Sequence, residues 1–183
     1  MKKLQIYEYP AAMLKKKAKA VKKFGPELEL LTDRMFDIMY ETDGVGLAAP
    51  QVGISKRIVV VDSRRSPEEK MVLVNPSIVK REGEEATQEG CLSVPGAFTD
   101  VKRAARVEVV AQDLTGKRVH FTAEGLLGRI IQHEIDHLEG LLFIDRLDLV
   151  TREQALADWR EVKSGSENAT RPGNEDSVAS SSF

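Results

Sequence analysis

Residues 123–140, AEGLLGRIIQHEIDHLEG, constrain this chain more than any other stretch. Leu126, Leu127, Ile130, Ile131, Ile135 and Leu138 make a helix that is apolar on more than one side, and Gly140 is suited to end it. Such a helix belongs inside a fold. Yet it carries His133, Glu134, Asp136 and His137. Buried polar groups need partners, so the rest of the chain must fold to supply them. His133 and His137 lie one turn apart and leave the same face, where two imidazoles can bind one cation. Glu134 completes an H-E-x-x-H pattern, whose glutamate acts as a base toward a water activated by the metal. A surface helix with merely hydrogen-bonded histidines conflicts with the apolar surroundings. Asp136 faces away from the histidines and is expected to pair with Arg103 or Arg129.

Two ligands rarely make a catalytic site; three protein ligands plus an open position are usual for zinc. Proteases with this pattern often take a third ligand downstream. Here the chain continues LEGLLFIDRLD without a histidine, leaving Glu139, Asp145 and Asp148 as downstream candidates. The remaining histidine, His120, has no motif around it and reads as structural or surface. Cys91, the single cysteine, lies in QEGCLSVPG, in a loop or at a strand edge. A lone cysteine is commonly a small buried hydrophobe. A Cys-His-His set is nonetheless chemically sensible, and it suits zinc or iron(II) better than magnesium or calcium.

One cysteine forms no internal disulfide, which favours a reducing compartment. A net charge of −2 gives no global case for nucleic-acid binding, and no DNA partner is expected. The six lysines of LKKKAKAVKK, residues 14–23, read first as a solvated surface and only second as a weak contact with RNA or another polyanion. No apolar run approaches a membrane span, and MKKLQIYEYP lacks the apolar stretch of a secretory signal.

PELELLTDRMFDIMYET, residues 26–42, predicts an amphipathic helix through Leu28, Leu31, Met35, Ile38 and Met39, with Pro26 in its first turn. Regular structure is expected to break at DGVGLAAPQVG. RIVVVD and MVLVNP read as buried strands, and residues 101–121 as strands around a turn at Asp113–Lys117. TREQALADWREV predicts a short helix capped by Thr151. Residues 1–163 read as one catalytic domain and residues 164–183 as a disordered polar tail. Strands and helices without regular alternation predict an α+β fold, with antiparallel or mixed sheets around the central H-E-x-x-H helix. GVGLAA also fits G-x-G-x-x-A, but a helix precedes it, and Pro50 and Gly53 prevent the helix a dinucleotide site needs.

Three segments in order, GVGLAAPQ (44–51), EGCLS (89–93) and QHEIDHLEG (132–140), resemble the signature motifs of peptide deformylases. LVNP and GLLFIDRL extend the resemblance, which runs from about residue 4 to residue 149. It implies a hydrolase that removes the formyl group from the N-terminal formylmethionine of nascent polypeptides and releases formate. Cys91, His133 and His137 then match the metal ligands and Glu134 the catalytic acid and base. Gln51 and the backbone N–H of Leu92 match the groups that bind the formyl oxygen. The implied cofactor is one divalent ion, iron(II) natively, with zinc, nickel or cobalt able to replace it. A thiolate ligand weakens the Lewis acidity of such an ion, so the glutamate carries more of the chemistry.

Gly44 and Gly46 let backbone approach a substrate closely. The resemblance implies a peptide added as a strand along this segment, with Val45, Leu126 and Ile130 as walls of a methionine pocket. The enzyme is expected in a bacterial cytoplasm, or in an organelle if a transit peptide has been removed, with no membrane partner. A weak ribosome contact through the C-terminus fits poorly, since residues 151–183 carry four basic and six acidic side chains. Phe98 stands where some members have a basic residue that helps hold the peptide. Two rival readings are a metalloendopeptidase using the same helix and a binding module with a closed structural metal site; the second needs four ligands where three are evident.

Overall fold

A computed structural model of the chain describes residues 4–169. Helix α1 (Pro26–Glu41) is followed by strands β1 (Gly46–Ala48), β2 (Ile58–Asp62) and β3 (Lys70–Glu82). Then come β4 (Glu85–Cys91), β5 (Val94–Arg103), β6 (Arg106–Gln112) and β7 (Arg118–Glu124). Helix α2 (Gly125–Leu138) and helix α3 (Leu149–Ala169) complete the order. Five strands form one antiparallel sheet in the order β1-β2-β3-β6-β7, and β4 pairs with β5 in a separate antiparallel ribbon. The fold is α+β, as expected.

β2 shows why its sequence is an unbroken apolar run. Val59 and Val61 face α2, in the cluster that holds Ile130, Ile131, Ile135 and Leu138. Ile58 and Val60 face the other way, against Leu28, Met35 and Met39 of α1. Both faces of the sheet are covered here, so alternation disappears. Each such side chain contributes roughly 1.5–3 kcal/mol when fully buried. α3 closes a third cluster, where Ala155 and Leu156 pack with Val94, Val101 and Phe143.

DGVGLAAPQVG departs from expectation. It contains the short edge strand β1 and then a turn of 3-10 helix over Ala49–Val52, ended by Gly53 at φ 86°. α3 departs as well. Its cap is Asp148, whose carboxylate accepts from the backbone N–H groups of Val150 and Thr151 and from the Thr151 hydroxyl. The helix runs on to Ala169, so the first residues of the expected tail are helical; residues 170–183 lie outside the described part. Among the described residues no helix is long and apolar enough to cross a membrane.

α2 ends in a Schellman turn: Leu141 N–H donates to the Asp136 carbonyl and Gly140 N–H to that of His137. Gly140 has φ 78°, and a Cβ there would lie 2.6 Å from the backbone oxygen of Lys15. Left-handed strain alone costs roughly 1–3 kcal/mol, and the backbone contact adds to it. Gly140→Ala should therefore lower the thermal midpoint by roughly 4–10 °C, at about 2–4 °C per kcal/mol for a chain of this size. Differential scanning calorimetry checks this, and an unchanged midpoint would show that neither the left-handed strain nor the Lys15 contact carries the cost assigned to it.

Candidate metal centre and active site

The C-terminal end of β4 and the middle of α2 meet. Cys91 Sγ lies 3.3 Å from His137 Nε2, and His137 Nε2 lies 3.2 Å from His133 Nε2. All three ligand atoms fall within 4.8 Å of one another. Metal–nitrogen bonds of about 2.0–2.1 Å and metal–sulfur bonds of about 2.3 Å at tetrahedral angles place such atoms roughly 3.3–3.6 Å apart. The donor set therefore fits one cation of zinc or iron(II) size. Glu139, Asp145 and Asp148 take no part. Glu139 pairs with Lys17 and Arg57, Asp145 with Lys15, and Asp148 caps α3. His120 is exposed on β7, 3.6 Å from Glu108.

Glu89 decides how His133 presents itself. Its carboxylate accepts from His133 Nδ1 at 3.0 Å, which leaves Nε2 as a lone pair aimed at the cluster. Glu89 also accepts two hydrogen bonds from Arg103, each of 2.8 Å, and one from Arg129 at 2.7 Å. Arg103 donates onward to Asp136 at 2.5 Å, and Arg146 grips the same carboxylate. Asp136 thus pairs with Arg103, one of its two expected partners, while Arg129 goes to Glu89. Burial would raise the Glu89 carboxyl, but Arg103 and His133 outweigh burial and hold it far below the usual range.

The cluster attracts positive charge. Burial opposes protonation of His133, yet the neighbouring Cys91, Glu89 and Glu134 outweigh it and raise the imidazole well above its usual range. His137 moves the other way, lowered by burial first and then by the His133 charge. The two rings are thus driven apart, one toward and one away from protonation, by the charges packed around them. Glu134 is buried beside it, and burial lifts its carboxyl to about 7 despite His133 and Arg103. Its Oε2 has no hydrogen-bond partner among the described residues.

A cleft of about 620 Å³ opens onto this cluster. Gly44, Val45, Gly46, Leu92, Leu126 and Ile130 line it, together with Gln51, Cys91, His133 and Glu134. The cleft thus gathers every residue that the family resemblance assigns to metal, catalysis or substrate except His137, which lies in the cluster beside it. Any other residue at Gly46 would displace Glu134 or Ile130, since a Cβ there would lie 2.6 Å from Glu134 Oε1 and 2.7 Å from Ile130 Cγ2. Gln51 is buried and oriented: its carbonyl oxygen accepts from Ala48 N–H at 2.9 Å, while its NH₂ donates to Ser93 Oγ at 3.1 Å and reaches Cys91 Sγ at 3.7 Å. Sequence reasoning missed Glu89 and Ser93. Spacing held no signal for them, because the pairing register shifts between Glu89 and Cys91 and Ser93 lies in the turn after β4.

The polypeptide deformylase family model matches residues 3–153. A peptide deformylase of Acidobacterium capsulatum is 46% identical over 164 residues, covering 88% of this chain and 96% of its own. One from Symbiobacterium thermophilum is 52% identical over 143 residues, covering 78% of this chain and 66% of the relative. The crystal structure of a peptide deformylase from Legionella pneumophila superimposes with a TM-score of 0.85 at 45% identity, covering 92% of this chain and 99% of that one. Similarity of this extent, spanning β1, β4 and α2 alike, places the chain in the polypeptide deformylase family.

Proposed function

We propose that this protein hydrolyses the formyl group from the N-terminal formylmethionine of nascent polypeptides and releases formate, within one catalytic domain over residues 1–163. The observation that carries the reading is the convergence of Cys91, His133 and His137 at the base of a cleft that Glu134 also lines. In this reading these three side chains hold one divalent cation, iron(II) natively, with zinc, nickel or cobalt as substitutes. Such an ion supplies Lewis acidity toward the formyl carbonyl and acidifies a water molecule.

The chain's own groups do the rest. Glu134, with a carboxyl poised near neutrality, takes a proton from the attacking water and returns it to the departing amine. The Gln51 NH₂ and the Leu92 backbone N–H donate to the oxygen that becomes negative; one such donor is typically worth about 2.7–4 kcal/mol. Holding the Gln51 carbonyl on Ala48 keeps that NH₂ turned inward before substrate arrives. β1 is an edge strand, so an extended peptide can pair beside it with Gly44 and Gly46 allowing close approach. Val45, Leu126 and Ile130 wall an apolar pocket for the methionine side chain. Readout through main chain explains tolerance of many sequences after methionine. We place the enzyme in the cytoplasm or an organelle of bacterial descent, acting on chains as they leave the ribosome.

Anaerobic enzyme loaded with iron(II) or nickel should release formate from formyl-Met-Ala-Ser, and release should stop when a chelator removes the metal. No metal-dependent formate would end this reading. Glu134→Gln should keep fold and bound metal yet lose about 10²–10⁴ in turnover; near wild-type activity would remove the proton-transfer role. Cys91→Ala should lose bound metal, measured by elemental analysis. Full metal content in that variant would remove Cys91 from the ligand set.

A further inference from the structure

The side of α2 that carries Asp136 borders a second cavity, of about 230 Å³, outside the substrate cleft. Four cations line it, Arg81, Lys102, Arg103 and Arg146, against two carboxylates, Glu84 and Asp136. Both carboxylates are already engaged. Arg103 and Arg146 hold Asp136, and Glu84 lies 3.3 Å from Lys102. Glu89, behind Arg103, is matched by Arg129 as well. Two positive charges of the lining therefore go uncompensated.

Donors are left over too. Arg103 directs three of its five N–H groups at Glu89 and Asp136. Arg146 turns Nε and Nη2 to Asp136, leaving Nη1. Arg81 has no carboxylate within ion-pair range among the described residues, and it is exposed at the rim with Lys102. The floor is rigid, because the Arg103 side chain is only 2% exposed and fixed on two carboxylates. The rim is adjustable.

We infer that this cavity binds a phosphate group. Guanidinium forks match phosphate oxygens, and a phosphate group carries about −1.5 to −2 charge near neutral pH, the amount that balances the lining. The ligand would touch the arginine that holds Glu89, and through Glu89 it would stiffen the support of His133 without entering the cleft. The cavity stands apart from the deformylation chemistry and does not depend on it.

The test is isothermal titration calorimetry of nickel-loaded protein with inorganic phosphate and with glycerol 3-phosphate, at constant ionic strength. Wild-type protein should bind one equivalent. Arg81→Gln/Lys102→Gln should bind roughly tenfold more weakly or worse, because two unit charges close to the ligand are gone. Its metal content and unliganded thermal midpoint should match wild type, since both side chains are exposed. Arg81→Lys, which keeps the charge but loses the fork, should fall between. Tighter binding of the ester than of the free anion, lost in the double variant, would assign a phosphomonoester; equal binding, also lost, would assign free phosphate. Phosphate captured at the metal would bind wild type and double variant alike, and that result, or no binding, overturns the proposal.

Discussion

The Glu89 carboxylate is where fold and chemistry meet. It is buried and accepts from Arg103, Arg129 and His133. An isolated carboxylate in that position would cost several kcal/mol of lost hydration. The arginines offset that cost, and the burial of Arg103 is offset by Asp136 in turn. The buried members, Glu89, Arg103 and Asp136, depend on one another for compensation. The arrangement ties β4, β5 and α2 together with a directionality that apolar packing lacks, and it fixes which nitrogen of His133 is presented. The orientation of a ligand ring is thus a by-product of satisfying buried charge.

Topology explains why three ligands from two distant segments converge. The β4–β5 ribbon is not part of the main sheet, so it can lie against α2 from a side the sheet leaves open. Cys91 ends β4 just where the pairing register shifts, and Ser93 N–H lies 3.4 Å from its sulfur. α2 meanwhile packs on the sheet through Ile131, Ile135 and Leu138, which turns His133, Glu134 and His137 toward the ribbon and β1. The sheet supplies the fixed wall, the ribbon the thiol, and the helix the imidazoles and base. A site assembled this way is held to small tolerances by packing on every side, which hydrolysis of an unreactive amide requires.

Legibility followed the range of the interaction. α1 and α2 were readable from helical periodicity, and β2, the first half of β3, β6 and β7 from apolar runs and a turn signal, because each signal lies within one segment. α2 was the clearest, since two histidines inside an apolar helix have few explanations. Cys91 could be proposed as a ligand from soft-donor chemistry and from the family resemblance, but spacing in the chain says nothing of a 3.3 Å contact across 46 residues. Glu89 and Ser93 were invisible as partners for the same reason. Asp136 was half legible: its charge inside an apolar helix demanded a cation, and Arg103 was one of two named, but Arg146 entered only through the turn after α2. Thr151 was a sound cap by local rules, and Asp148 displaced it because an aspartate three residues earlier reaches the same N–H groups with full charge.

Glu134 shows why burial and proximity must be read together. Burial favours its neutral form, His133 and Arg103 oppose it, and burial prevails, so the carboxyl stands at about 7. A cation held by the adjacent ligands would add to the opposing pull and favour the ionised form. The apolar walls of Ile130 and Leu126 that shape the pocket also set this balance, since they deny Glu134 the water that would ionise it unaided. Substrate fit and proton transfer therefore share one physical cause, the low polarity of the α2 face that lines the cleft.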